Sequence, residues 1–361
     1  MGTTYFTVYD KNYAARGLTM LESLVGNCHE KPRTVVLALD DDAYRVSLGK
    51  ADAILRPEDL GDDDFIAAKA TRSHEEFCWT CAPVLSDYIL RTSKPGSLIA
   101  YLDADLMFYA DPKVLLDELG DDKNIIIHEH RFSPDRREWE RTAGRFNVGF
   151  VGFRVSEEAG RCTARWRQQV LDLCVKDPDR GLCGDQGYLN EWPDLYPGLR
   201  IMQNIGGGVA PWNVTTYNVS GSRRRPMVDG VGVVFFHFHQ LRIIDNGGRR
   251  FFGAICATGY DFSSEIRSII YAPYLRKLRD AAMRLAEAGI PLRSDSNFDD
   301  ETFRHYILTR HVDLVGSVIG GLRYKYLTLP AKRGADLGRR VIRRALPASI
   351  KRSLTGAVRR R

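Results

Sequence analysis

Short apolar runs alternate with longer stretches in which apolar positions recur every three or four residues. Tyr5–Tyr9 and Thr34–Leu39 have the length and composition of buried strands, and Ala15–Val25 between them has helical spacing. Ala53–Arg56 predicts another short strand. Phe65–Arg91 reads as helical with a break near Pro83, where the ring removes a backbone donor. Leu98–Leu102 is a strand, and Pro112 opens a helix that runs through Leu119. Ile125–His128, Gly149–Arg154 and Val231–Phe238 are further strands, and Ala159–Val175 is a helix. Strands alternating with helices predict an α/β domain around a mostly parallel sheet. From about residue 262 the spacing is helical, over Ser264–Ala288 and Asp300–Leu327. The expected organisation is an α/β domain over 1–262, a helical C-terminal region over 263–330 and a tail over 331–361.

Candidate chemistry collects where the apolar runs end. Ile99–Tyr109 carries Asp103 and Asp105 on either side of Ala104. In an extended strand such residues point to one side. Two carboxylates closing a buried strand repel each other and are costly to desolvate unless a cation or donor satisfies them. A hard divalent ion shared with a phosphate meets that need. A solvated strand end is the plainer alternative, because Asp-x-Asp is common by chance. A second apolar run, Val231–Phe236, ends in His237 and His239, and alternation places both imidazoles on one side. Imidazole with two carboxylates suits Mn²⁺ better than Mg²⁺.

Five segments in order resemble nucleotide-sugar glycosyltransferases with the A-type fold, particularly retaining family 8, which includes glycogenin and bacterial lipopolysaccharide galactosyl- and glucosyltransferases. Tyr5–Tyr13 with Gly17–Ser23 is similar to the family's opening strand, Asp-x-Asn-Tyr turn and first helix. Leu98–Phe108 is similar to its Asp-x-Asp metal strand, and Phe146–Phe150 to its Asn-x-Gly strand. Asp185–Asn190 resembles its Asp-Gln-x-x-Leu-Asn segment, and Phe236–Gln240 its His-Phe-x-Gly metal segment. The resemblance spans roughly residues 3–240.

It implies a Rossmann-like, nucleotide-diphospho-sugar transferase fold and a metal-dependent hexosyl transfer from a nucleoside diphosphate sugar, with uridine as the implied nucleoside. Asp103, Asp105 and His237 would hold Mn²⁺ or Mg²⁺. Thr7, Tyr9, Asp10 and Tyr13 at the first strand and its turn, with Ala104 in the metal motif, would line the nucleotide site. Asn147, Asp185 and Gln186 would face the donor sugar, with Gln186 beneath the anomeric centre if stereochemistry is retained. Three positions depart from the pattern. Gln240 stands where the family has glycine. The lysine that follows is missing, which leaves His239 or Arg242 as candidate phosphate donors. No arginine can be placed on the helix before the metal strand, so Lys69 and Arg72 are the candidates to supply that charge. The loop Asn204–Asn213 fits no dinucleotide or P-loop spacing, and Gly208, Trp212 and Asn213 read as a lining for donor or acceptor, or as a plain turn.

Composition and charge narrow the setting. Apolar residues make up 44% of 361, enough for a large core. No apolar run approaches about 18 residues, so no transmembrane helix is expected, nor does the opening resemble a secretory leader. Seven scattered cysteines argue for a reducing compartment, and Cys78-x-x-Cys81 without a second pair reads as packing. Residues 331–361 hold eleven Lys/Arg against one Asp, a balance of +10; the whole chain is +6, so residues 1–330 carry −4. Nucleic acid is therefore not an expected partner. The tail interleaves apolar and basic positions in an amphipathic pattern interrupted by Pro347, which predicts adsorption to an anionic membrane surface or, more plainly, a solvated tail. The expected location is cytoplasmic, peripheral on the inner face of the membrane, with a glycan or lipid-linked acceptor. Two other classes stay open: a metal-dependent phosphatase or nucleotidyltransferase, which would need more carboxylates near the pair, and a sugar-binding protein of the same fold without activity.

Overall fold

A computed structural model describes residues 2–246, 249–255 and 262–290, with short strands at 296–297, 312–315, 318–319 and 322–323. The chain divides into two compact units, residues 1–241 with 257–294 and residues 242–256 with 295–361. The basic tail over 331–361 lies outside the described residues.

The first unit is built on a seven-stranded sheet. Its strands are β1 (Thr4–Tyr9), β2 (Arg33–Ala38), β3 (Ala53–Leu55), β4 (Leu98–Leu102), β6 (Ile125–Glu129), β7 (Phe146–Arg154) and β10 (Leu199–Ile201), with β5 (Leu106–Phe108) lying outside it. The order across the sheet is β10-β6-β7-β4-β1-β2-β3. All neighbours are parallel except β7, which runs antiparallel to both β4 and β6. Eight of the nine residues of β7 are buried, as a strand covered on both faces requires. The α/β architecture and mostly parallel sheet expected from the sequence are therefore present.

Helices α1 (Ala14–Asn27), α2 (Asp41–Ser47), α3 (Asp63–Thr71) and α4 (His74–Thr92) come before β4. The short turns α5 (Lys113–Leu116) and α6 (Glu140–Ala143) follow, then α7 (Glu157–Asp172). The helical stretch expected over Phe65–Arg91 does break, but at Arg72 rather than at Pro83. Ser73 opens a fresh helix there: its Oγ accepts from Glu76 N at 3.3 Å, and Glu76 Oε2 accepts from Ser73 N at 2.9 Å. Pro83 sits buried within α4. One core joins α4, α7 and the sheet, with Phe6, Leu85, Phe153, Trp166 and Trp192 buried at its centre.

A hairpin of β8 (Lys176–Asp177) and β9 (Leu182–Cys183) leads to Gln186, and a short helix α8 (Trp192–Leu195) precedes β10. The expected strand Val231–Phe238 is split. Strands β11 (Val219–Ser222), β12 (Arg225–Val228) and β13 (Val231–Gly232) form a small antiparallel sheet, and β14 (Phe235–His237) pairs instead with β5. Between them Val233 N bonds to Pro226 O and Val234 N to Gly206 O, so the chain changes partners at this point.

A helical C-terminal region is present. A π-helical turn over Ile266–Tyr271 leads into α9 (Ala272–Glu287), which packs in the first unit through an Arg284–Glu22 ion pair at 2.6 Å and an Arg45 bond to the Ala288 carbonyl. The second stretch expected to be helical, Asp300–Leu327, differs where it is described. There the backbone forms β18 (Val312–Val315), β19 (Val318–Ile319) and β20 (Leu322–Arg323) once β15 (Arg242–Asn246), β16 (Arg249–Ile255) and β17 (Ser296–Asn297) have begun the second unit's sheet. Val312, Val315, Val318 and Ile319 are β-branched, and pairing of β18 with β16 and of β19 with β20 outweighs a helical spacing.

Candidate metal and transfer site

The carboxyl ends of β1 and β4 open on one side of the sheet, and the chemistry collects there. Asp10 follows β1, and Asp103 follows β4. Asp103 and Asp105 are not successive outward positions of one strand, however. They flank a reverse turn, closed by Leu106 N to Asp103 O at 3.4 Å, that redirects the chain from β4 into β5. The antiparallel partner β14 then sets His237 opposite Leu106. Nε2 of His237 lies 3.1 Å from Asp105 Oδ1 and 3.7 Å from Asp103 Oδ2. One ligand atom from each of the three residues falls within 4.8 Å of the others.

The three groups act strongly on one another. Burial pushes the Asp103 carboxyl up, opposed by His237 and reinforced by Asp105. Burial also acts to raise Asp105, but His237 outweighs it and holds that carboxyl down. Burial alone would lower His237; Asp105 and Asp103 outweigh it and raise the imidazole. The Tyr101 hydroxyl donates to Asp103 Oδ1 at 3.0 Å, which leaves Oδ2 facing His237.

Asn147 joins this trio to the second set of residues. Its Oδ1 accepts from Gly149 N at 2.9 Å and lies 3.3 Å from His237 Nδ1. Its Nδ2 donates to Gln186 Oε1 at 3.1 Å, and Gln186 Nε2 donates to the Ala143 carbonyl at 2.7 Å. The backbone groups of Gly149 and Ala143 have fixed polarity, so they fix which end of each amide is oxygen. Nδ1 of His237 must then carry hydrogen, and its Nε2 faces the two carboxylates. Gly149 has a packing reason as well: a Cβ there would lie 2.7 Å from Asn147 Oδ1 and 2.8 Å from His237 Nδ1. That is a physical account of Asn-x-Gly. Asp185 is buried, its carboxyl raised by burial and by Asp103, and its carbonyl accepts from Trp166 Nε1 at 2.9 Å.

The remaining candidates divide. Asp10 is buried; Oδ1 accepts from Tyr13 N at 3.0 Å, and Oδ2 lies 3.3 Å from His74 Nε2. The Asp-x-Asn-Tyr turn thus starts α1 while keeping Tyr13 46% exposed, with the Arg16 guanidinium 4.6 Å from its ring centre. Thr7 and Tyr9 are buried, and the Tyr9 hydroxyl is bonded to Ser47 at 2.7 Å. Ala104 is buried in the metal turn. Lys69 is exposed over the Phe77 ring, and Arg72 ties Thr80 to the Leu171 carbonyl.

The glycine loop is a wall rather than an exposed platform. Trp212 is buried, its ring meeting His237, His239 and His130 edge-on. Asn213 is fully buried and bonded to the backbone of His130, Gly208 and Ala210. Gly208 has φ +76, and a Cβ there would meet His128 and Arg131. His239 is exposed at the rim. Arg242 lies at the start of β15, where its side chain is not described.

Three neighbours carry no signal in the motif pattern. His74 meets Asp10. Arg16 is buried on α1, donates to the Leu241 carbonyl at 2.9 Å and helps hold Asp105 ionised. His130 lies beside Asn147. An arginine among the apolar positions of α1 was the one visible clue.

No family model matches the chain. It is 27% identical over 285 residues to the uncharacterized protein YfnD of Bacillus subtilis (strain 168), covering 77% of this chain and 90% of that one. Among solved structures it is similar to the galactosyltransferase LgtC in complex with donor and acceptor sugar analogs, at 16% identity and TM-score 0.47, covering 77% of this chain and 95% of that one. It is also similar to mouse xyloside xylosyltransferase 1, at 14% identity and TM-score 0.41, covering 66% of this chain and 97% of that one.

Proposed function

We propose that the chain is a metal-dependent glycosyltransferase that moves a hexosyl group from a nucleoside diphosphate sugar, with UDP as the nucleotide, to a glycan or glycolipid acceptor of a bacterial surface polysaccharide, with retention. The observation that supports it most is the Asp103–Asp105–His237 trio, its imidazole buried and its carboxylates half-buried, joined to Gln186 by a single amide. Two carboxylates and an imidazole with its Nε2 facing them fit Mn²⁺, and Mg²⁺ less well. When bound, the ion supplies Lewis-acid stabilisation of the charge that develops on a departing diphosphate.

The chain's own residues do the rest. Asp10 and Tyr13 receive the nucleoside, Tyr13 through its exposed ring. Asp185 orients sugar hydroxyls, and Asn147, engaged at both ends of its amide, holds Gln186 and His237 in place. Gln186 presents its amide to the anomeric centre, held there by Ala143 and Asn147. His239 at the rim is a candidate donor to the diphosphate. The glycine loop excludes water by closing the wall behind His237.

Among the described residues no helix is long and apolar enough to cross a membrane. We assign the basic tail the task of adsorbing the enzyme to an anionic membrane at the cytoplasmic face, where a lipid-linked acceptor resides. The test of the function is a donor screen with Mn²⁺ that follows nucleoside diphosphate release with and without candidate acceptors. Release from one donor, increased by an acceptor, supports the reading. Release of inorganic phosphate instead favours the phosphatase class. Binding of donors without release would indicate an inactive sugar-binding protein.

A further inference from the structure

We infer that His130 is a positioning residue for the transfer site: it locks the Asn147 amide, and through it both the imidazole of His237 and the amide of Gln186. The inference rests on the functional reading above for what those two groups do, but its geometry is independent of that reading. Asn147 Nδ2 lies 3.3 Å from His130 Nε2 and 3.1 Å from Gln186 Oε1, so its two hydrogens have two acceptors. With Nδ2 fixed as donor, Nε2 of His130 must accept, and the His130 proton resides on Nδ1. Burial pushes the His130 imidazole down to about 3, so the ring is neutral and its lone pair is available.

The backbone of His130 is clamped on both sides. Trp212 Nε1 and Asn213 Nδ2 each donate to its carbonyl at 2.8 Å, and its N–H donates to the Arg145 carbonyl at 2.9 Å. Trp212 and Asn213 of the glycine loop therefore hold His130 in place, and the Trp212 ring also meets His237 directly. The ring also stacks on Phe132 at 4.6 Å between centroids, a contact phenylalanine would make equally well. A packing role alone does not account for histidine here. Its Nδ1 is buried without a hydrogen-bond partner, an unfavourable arrangement that an apolar ring would avoid. The acceptor at Nε2 is what the imidazole provides that an apolar ring does not.

The test compares wild type with His130→Leu, which deletes the acceptor at similar volume, and His130→Gln, whose amide oxygen reaches the Nε2 position. Titration with Mn²⁺ alone, by calorimetry or by loss of the free-ion magnetic resonance signal, reads the metal ligand. In the metal-free protein, the ¹⁵N resonances of His237 read its tautomer directly. His130→Leu should weaken Mn²⁺ binding about 10–100-fold, as outer-shell partners of metal histidines do, and shift the His237 nitrogens. His130→Gln should stay within about threefold of wild type. If His130→Leu does not fold, His130→Asn takes its place, because its shorter amide stops at the Nδ1 position. Unmoved nitrogens in the variant lacking the acceptor, or equal damage in His130→Gln, would overturn the inference. A wild-type protein that binds no Mn²⁺ defeats the functional reading instead, and the nitrogen resonances still decide the role of His130.

Discussion

Tyr101 and Asp103 stand two residues apart at the end of β4, and the buried hydroxyl of the first donates to Oδ1 of the second at 3.0 Å. The bond selects which carboxylate oxygen turns toward His237. A hydrogen bond to a charged carboxylate contributes about 1.5–3 kcal/mol. Tyr101→Phe should therefore weaken Mn²⁺ binding about 10–100-fold, with a small change in melting temperature. Calorimetric titration checks the first and scanning calorimetry the second. Unchanged affinity would mean that Asp103 is oriented by the reverse turn alone.

Removing a ligand has a harsher effect. Asp103→Ala and Asp105→Ala should each abolish nucleoside diphosphate release while far-ultraviolet circular dichroism stays that of the parent, and excess chelator should do the same to the wild type. His237→Ala should impair metal-dependent turnover more than His239→Ala, because Nε2 of His237 lies 3.1 Å from Asp105 whereas His239 is at the rim. Full turnover by rigorously metal-free protein would refute the proposed role of the trio.

Gly149→Ala is a test of space. The added methyl would meet Asn147 and His237 at under 3 Å, whereas a Cβ on Gly26 would meet nothing within 4 Å. Gly149→Ala should cost about 1–3 kcal/mol of stability and lower Mn²⁺ affinity at least tenfold. Gly26→Ala is the control and should do neither. Urea unfolding and metal titration on the same samples separate the two effects.

Gln240 takes φ +59, a left-handed conformation that costs a residue with a Cβ about 1 kcal/mol. The departure from glycine read in the sequence is thus a strained position. Gln240→Gly should raise the melting temperature by a few degrees. A fall in melting temperature would show that the glutamine side chain makes a compensating contact.

Acid should weaken the fold partly through Asp62. Burial acts to raise its carboxyl, but Arg167 Nε at 2.6 Å and the Phe65 N–H outweigh it, and the group ends below its usual range. A depressed folded value means the contribution is complete above the unfolded value, about 3.9, and fades as pH falls through the folded one. Asp62→Asn should cost about 1–3 kcal/mol at pH 7 and flatten the loss of stability below pH 4. Urea midpoints measured from pH 2 to 7 decide it, and parallel curves for both proteins would remove Asp62 from the account.

The ends of the apolar runs were legible because strand composition and carboxylate spacing are local properties. Asp10, Asp103 and His237 all fall where that reasoning puts them, at or just past strand ends. The break at Ser73 was also local, and a capping box was readable there, but Pro83 is the louder signal and sits harmlessly inside α4. The reverse turn at Ala104 was hidden, because a two-residue spacing looks the same in a strand and across a turn. Trp212 and His130 were beyond reach for a different reason. Whether an aromatic ring faces ligand or wall depends on partners 82 residues away, which no periodicity encodes.

The trio and its amide draw on residues 103, 105, 147, 186 and 237, and Arg16 of the first helix closes on the carbonyl of Leu241, 225 positions later. A chain leaving the ribosome grows at about 5–20 residues per second. For the interval between Asp105 and His237 it carries paired carboxylates with neither their imidazole nor the strand that brings it. The sheet can assemble during that time, but the trio cannot. It is completed only late, when β14 docks on β5.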